Sequence, residues 1–314
     1  MTTTESAPVT AEKKQSWEDI RAGRTAVARR LLKGSSNRSY DPIIDVDYDA
    51  PLVDGKYFLP PKVVTLYGTE LWEQMTDEQR IELSRQEMAN ILSVGIWFEN
   101  LLNRALLIRL MREDPAAATT HYSLTEMGDE CRHMTMFGKA IERSGTRAYA
   151  MRRWQRGAMH VLPLLMRGTM MWVITLVGEE LFDAIQREIK DDPELQPMVA
   201  RLMQIHVTEE ARHIGFARDG IVRRAPIRSN WETFVSANLH GLAGPVFRRL
   251  FTNPEMYARA GLRDPREAAA IARKNPHFNA VQVASFAPLS TFLKQNGLMG
   301  PMATRMWRRS GFLK

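Results

Sequence analysis

Apolar residues recur at helical spacing along most of the chain, and no alternating strand pattern of any length appears after residue 62. The first long helix is expected to start at Thr76, where Gln79 three residues on completes a capping box, and to run to about Arg112, ahead of Asp114-Pro115. A second is expected from about Ala116 to Arg143, before Gly145, and a shorter one follows up to Pro163 or slightly beyond. A third core helix spans about 168–190 and stops before Pro193; a fourth runs from about Pro193 to Arg223, before Pro226. Further helices are expected at 229–250, 265–273 and 278–295. Upstream, residues 1–16 read as disordered and 17–33 as a basic amphipathic helix ending near Gly34. Residues 34–62, rich in Asp, Tyr and Pro, read as an extended arm wrapped on a core. The expected class is all-α, with four long core helices and peripheral ones. Residues 1–40 would be a flexible or partly helical N-terminal segment and 41–314 a single domain.

Several charged residues break the apolar faces of these helices. Asp129-Glu130-Cys131-Arg132-His133 and Glu209-Glu210-Ala211-Arg212-His213 each place a carboxylate and an imidazole three residues apart, on one helical face. Dimetal helical bundles use two such pairs plus one carboxylate from each of two other helices. Glu99 shares a face with Leu92, Gly95, Ile96, Leu102, Leu106 and Leu110, where a lone charge is costly unless it is paired or bound to metal. Glu179 and Glu180 follow the apolar run Trp172–Gly178, and one of the two need point inward. His206 lies four residues before Glu210 and seven before His213, on their face, whereas the matching position on the second helix is Glu126. Asp129 and Glu209 are expected to cross over, Asp129 toward His213 and Glu209 toward His133, as acceptors for the imidazole N–H that faces away from a metal. Arg132 and Arg212 would pair with these carboxylates. Carboxylates and imidazoles without thiolates suit iron or manganese better than structural zinc.

Composition narrows the setting. The chain has 314 residues, 44% of them hydrophobic, which is enough for a sizeable core. A single cysteine, Cys131, rules out an internal disulfide framework and suits a reducing compartment. With no apolar leader and a longest apolar run of only Met170–Val177, a cytoplasmic protein without a membrane partner is expected. The net charge is +7, but the basic residues are scattered and no nucleic-acid motif accompanies them. Milder basic concentrations near the N-terminus, at Arg147–Arg156 and at the C-terminus suit a solvated surface or a docking face for an acidic electron-transfer partner.

The paired D/E-E-x-R-H motifs, Asp129–His133 and Glu209–His213, resemble those of the ferritin-like diiron oxygenases. With His206 added, the layout Glu179, His206, Glu210, His213 is similar to that of the p-aminobenzoate N-oxygenase (AurF-type) family, over about residues 65–290. The resemblance implies a ferritin-like helical bundle with additional peripheral helices. It implies two iron ions (Fe2+/Fe3+, oxo- or peroxo-bridged), with manganese as the alternative metal. Carried over, Glu99, Glu130 and His133 would hold one iron, Glu179, His206, Glu210 and His213 the other, and Glu130 and Glu210 would bridge. The family's spacing favours Glu179 over Glu180. The implied activity is O2 activation and oxidation of an arylamine nitrogen, through hydroxylamine toward nitro. The alternative is hydroxylation or desaturation of another apolar or carrier-bound substrate; an iron-storage role fits the long chain and its arm poorly. Implied partners are O2, a small apolar or aromatic substrate, a second copy in a homodimer, and a separate ferredoxin-like or small electron donor, since no flavin or nicotinamide motif is present. Leu92, Ile96, Leu176, Phe182 and Met203 are candidates for an apolar pocket. No clear anchor for an aromatic acid is visible: Ile91 and Ile185 stand where polar anchors could sit, and Arg273 or Lys274 would have to serve from a later helix.

Overall fold

The computed structural model describes residues 17–314; the expected disorder at 1–16 lies outside the described residues. Four long helices form the centre: α3 (Asp77–Leu110), α4 (Ala118–Arg143), α6 (Thr169–Ile189) and α7 (Pro197–Arg224). Before and between them run α1 (Trp17–Asn37), α2 (Glu70–Glu73) and α5 (Arg153–Leu165). The C-terminal part adds α8 (Asn230–Asn238), α9 (Ala243–Phe251), α10 (Pro254–Arg259), α11 (Pro265–Lys274), α12 (Pro276–Gln295) and α13 (Pro301–Arg309). Among the described residues there is no strand, only an isolated parallel bridge between Tyr57 and Leu195.

Local chemistry sets the helix boundaries. Thr76 Oγ1 accepts from Gln79 N (3.3 Å) and Gln79 Oε1 from Thr76 N (2.9 Å), so the expected capping box opens α3. Gly145, at φ +77°, follows the end of α4. At the start of α6, Gly168 adopts φ +56° and lets Glu232 of α8 approach; Glu232 Oε1 accepts from Thr169 N and Thr169 Oγ1, both at 2.7 Å.

α3 packs along α4 and α6 along α7, so the core is two helical hairpins, joined where α4 meets α7. With its peripheral helices this is a ferritin-like bundle. α1 lies on α4 and α7, and α12 on α6. By length and composition α3 could cross a membrane, yet its buried positions include Glu87 and Glu99 within the bundle. The main hydrophobic core lies where the arm, α3, α4, α7, α10 and α11 meet; a second core joins α6 to α12 and α13.

The elements differ from expectation in four places. α1 continues through Gly34 to Asn37. α7 starts at Pro197, because the residues just before it pair with the arm: Tyr57 N donates to Glu194 O (2.9 Å) and Gln196 N to Tyr57 O (2.8 Å). The expected helix at 229–250 breaks at a 3-10 turn, Leu239–Leu242. There Gly241 abuts the backbone of Ala303, and buried His240 accepts from Trp307 Nε1 (3.1 Å) while its Nε2 meets Leu298 O (3.0 Å). Finally, α2, α10 and α13 form where no helix was expected; α10 and α13 each carry a proline in the first turn.

Candidate metal centre

Each core helix turns one ligand-bearing face inward. α3 brings Glu99, α4 brings Glu130 and His133, α6 brings Glu179, and α7 brings His206, Glu210 and His213; all seven are buried. Their donor atoms fall into two groups whose members lie within 4.8 Å of one another: Glu99, His133, His206 and Glu210, and Glu130, Glu179, Glu210 and His213. Glu210 belongs to both. Glu130 spans them: its Oε2 is 3.0 Å from His133 Nδ1 and its Oε1 3.0 Å from His213 Nδ1. Glu210 Oε1 sits 3.2 Å from His133 Nδ1 and 3.3 Å from His213 Nδ1.

One implied grouping differs in the structure. The resemblance put His206 with Glu179, Glu210 and His213; its Nε2 lies 3.6 Å from Glu210 Oε1, but also 3.8 Å from Glu99 Oε1, and its ring centroid 4.6 Å from that of His133. His206 therefore groups with Glu99 and His133. It stands one turn before Glu210, and that turn carries it toward the α3 side of the cluster. Glu180, the neighbour of Glu179, points away and pairs with Arg218.

Behind the imidazoles the crossing is present. His133 Nε2 meets Glu209 Oε2 at 2.9 Å, and His213 Nε2 meets Asp129 Oδ2 at 3.2 Å. A carboxylate outside each ring would hold the N–H on Nε2 and leave Nδ1 to a bound metal. Arg132 donates to Asp129 and, at 3.2 Å, to Ser39 Oγ; Arg212 lies 3.5 Å from Asp129 and 3.6 Å from Glu209. The arm joins this layer, since Tyr40 N donates to Glu209 Oε1 at 3.3 Å.

The electrostatics are those of a site built around positive charge. Burial, reinforced by neighbouring carboxylates, drives Glu99 and Glu179 well above the ordinary range. Glu130 is pulled down to about 2, burial being outweighed by His213 and His133. Burial pushes His206 down to about 4, so it is a neutral donor. Both oxygens of Glu179, Oε2 of Glu99 and of Glu210, and both nitrogens of His206 lack hydrogen-bond partners. So many buried lone pairs without donors would be costly in a purely structural cluster. Two divalent cations would satisfy them, and the donor set fits iron or manganese.

Two adjoining cavities open beside the cluster. One, of about 320 Å³, reaches Glu99, Glu179 and His206. The other, about 740 Å³, is lined almost wholly by apolar side chains and shares Ile91, Leu92, Phe182 and Gln186 with the first. Of the expected lining residues, Leu92, Phe182 and Met203 are there; Ile96 and Leu176 pack in the hydrophobic cores instead. Ile185 lines the larger cavity, and Arg273 is engaged with Thr252 Oγ1 (2.9 Å) rather than lining it. Sequence reasoning missed Gln186 and Gln282, the polar side chains of that cavity. Gln186 was readable, being seven residues and two turns after Glu179 on the same face of α6; Gln282 had no signal.

An uncharacterised protein of Mycobacterium tuberculosis (strain CDC 1551 / Oshkosh) is 28% identical over 293 residues, covering 88% of this chain and 84% of that protein. An uncharacterised Mycobacterium bovis protein is 27% identical over the same length and shares. Among solved structures, a variant of an R2-like ligand-binding oxidase with a reconstituted Mn/Fe cofactor superposes with a TM-score of 0.46 at 13% identity, over 88% of this chain and 93% of that one. The family model described as p-aminobenzoate N-oxygenase AurF matches residues 21–297, and the chain belongs to that family of oxygenases.

Proposed function

We propose that the protein is a dimetal-dependent monooxygenase that uses O2 to oxidise an amine nitrogen, an arylamine being the reference substrate. The observation that carries this reading is the convergence of buried, partnerless carboxylate and imidazole atoms beside an apolar cavity. Glu99, His133 and His206 would hold one metal and Glu179 and His213 the other, with Glu130 and Glu210 between them. Iron is the preferred occupant and manganese the alternative. Bound and reduced, the metals would supply the electrons for a two-electron reduction of O2. The chain's own residues do the rest. Asp129 and Glu209 orient the two imidazoles, and Arg132 and Arg212 hold these carboxylates in place. His213 and Arg132 keep Asp129 ionised against the pull of burial. Phe98, Phe137 and Phe182 wall the metal side of the cavity and exclude water. Electrons would come from a separate ferredoxin-like protein or small reductant, and the working unit would be a cytoplasmic homodimer.

The test is metal analysis with optical spectroscopy. The protein is reduced anaerobically, O2 is added, and the visible spectrum is followed with and without an arylamine. Two irons per chain and a transient band that decays faster with the amine are expected. A band indifferent to amines would shift the reading to hydroxylation or desaturation of another apolar substrate, which the uncharged cavity also suits. Failure to bind iron would sink both. His206→Ala should abolish amine oxidation, and a fully active variant would contradict its place in the centre.

A further inference from the structure

The larger cavity has a polarity that the proposed reaction does not by itself require. It is walled by aliphatic and aromatic side chains, and its polar side chains are two amides. Gln186 is 6% exposed and lines both cavities; its Oε1 has no hydrogen-bond partner. Gln282 is 2% exposed and lines only the larger cavity; its Nε2 has no partner either. The orientation of the Gln282 amide is set from behind. Arg248 donates to its Oε1, so the NH2 group is the free end. The same guanidinium also donates to the carbonyl of Arg273. Arg248 is thus engaged behind Gln282 and does not itself line the cavity. A cation donating to an amide oxygen polarises the amide and strengthens its N–H as a donor. The positive charge is relayed into the cavity as a hydrogen-bond donor, without a full charge.

We infer that the cavity selects uncharged, mostly apolar substrates with two polar ends: a donor-bearing group at the metal end, received by Gln186 Oε1, and a hydrogen-bond acceptor at the far end, received by Gln282 Nε2. A carboxylate at the far end is selected against, because an amide cannot neutralise a buried anion. A carbonyl, amide, ether or sulfonyl oxygen satisfies Gln282 at no such cost. Combined with the proposed amine oxidation, on which this inference rests, the substrate class is a neutral amine whose far end carries an acceptor. The aliphatic and aromatic walls between the two amides suit an apolar body joining the two polar ends.

The probes are an aminobiphenyl carboxamide with its amine and amide at opposite ends, the matching aminobiphenyl carboxylate, and aminobiphenyl lacking the far-end group. Binding to the metal-loaded protein is read by titration calorimetry, and metal content is measured on the same sample. The carboxamide should bind at least about tenfold more tightly than either other probe. Gln282→Met should erase its advantage over plain aminobiphenyl while metal content stays at two per chain. A carboxylate that binds as tightly as the carboxamide overturns the inference. So does a wild-type protein that cannot tell the carboxamide from plain aminobiphenyl, a comparison that needs no variant to fold. Two metals with no carboxamide preference overturns the substrate class and leaves the oxygenase reading standing. Absence of metal with the preference intact overturns the oxygenase reading and leaves the selectivity of the cavity.

Discussion

Asp129 shows how much a single side chain outside the metal cluster does. It accepts from His213 Nε2 and is met by both Arg132 and Arg212. Asp129→Asn keeps the shape but removes the charge and allows the amide to present a donor to the ring. Loss of such an outer acceptor costs about 10- to 100-fold in metal affinity. Competition with a chelator should read a loss in that range, with the helical content unchanged. Glu87 is a different case, buried in α3 away from the cluster, where it accepts from Thr65 N (3.0 Å) and Thr65 Oγ1 (2.5 Å). Burial lifts it from 4.5 to about 8, despite these bonds. Between those values the folded state holds a proton that the unfolded state has released, so stability falls as pH rises through that window and levels off above it. Glu87→Gln is neutral throughout. Urea unfolding at a series of pH values should therefore show a shallower decline for the variant than for the wild type, and parallel curves would refute the assignment.

At the level of elements, the close crossing of α3 and α6 depends on Gly178. A Cβ there would lie 1.9 Å from Phe98 Cζ, and both residues border the smaller cavity. Gly178→Ala should cost about 1–3 kcal/mol from overpacking, outweighing a helix-propensity gain of about 1 kcal/mol; thermal unfolding would read it. What was legible in the sequence follows the same division between local and distant causes. The Thr76–Gln79 cap and the stop at Gly145 are local, and both stand where the residues put them. The crossing of Asp129 and Glu209 was legible because each precedes a ligand by one residue, on the side facing the other motif. The partner of His206 was not. Its spacing puts it on the face of Glu210 and His213, but only the approach of α3 decides that it meets Glu99. The break at Gly241 was equally hidden, since its cause is Ala303, on α13.

For the whole molecule, bound metals would act as the counter-charge of the core. Four carboxylates and three imidazoles are buried together where the hairpins meet. Removing the metals leaves those groups to repel one another or take up protons. Chelation should lower the melting temperature, and restoring Fe2+ should recover it; a ligand held at about a thousand times its Kd adds about 4 kcal/mol. Unchanged melting would mean that the bundle does not rely on the metals. The arm adds an element of time. Tyr40 reaches Glu209 across 169 positions of sequence, and Val53 meets Gln196 across 143. Contacts of such separation close late in folding, whereas each helical hairpin is assembled from near neighbours. The expected sequence of events is hairpins first and arm last. Between the two lies an interval in which the carboxylates and imidazoles are already gathered but one side is still uncovered, and that interval is when an incoming ion has its shortest route to the core.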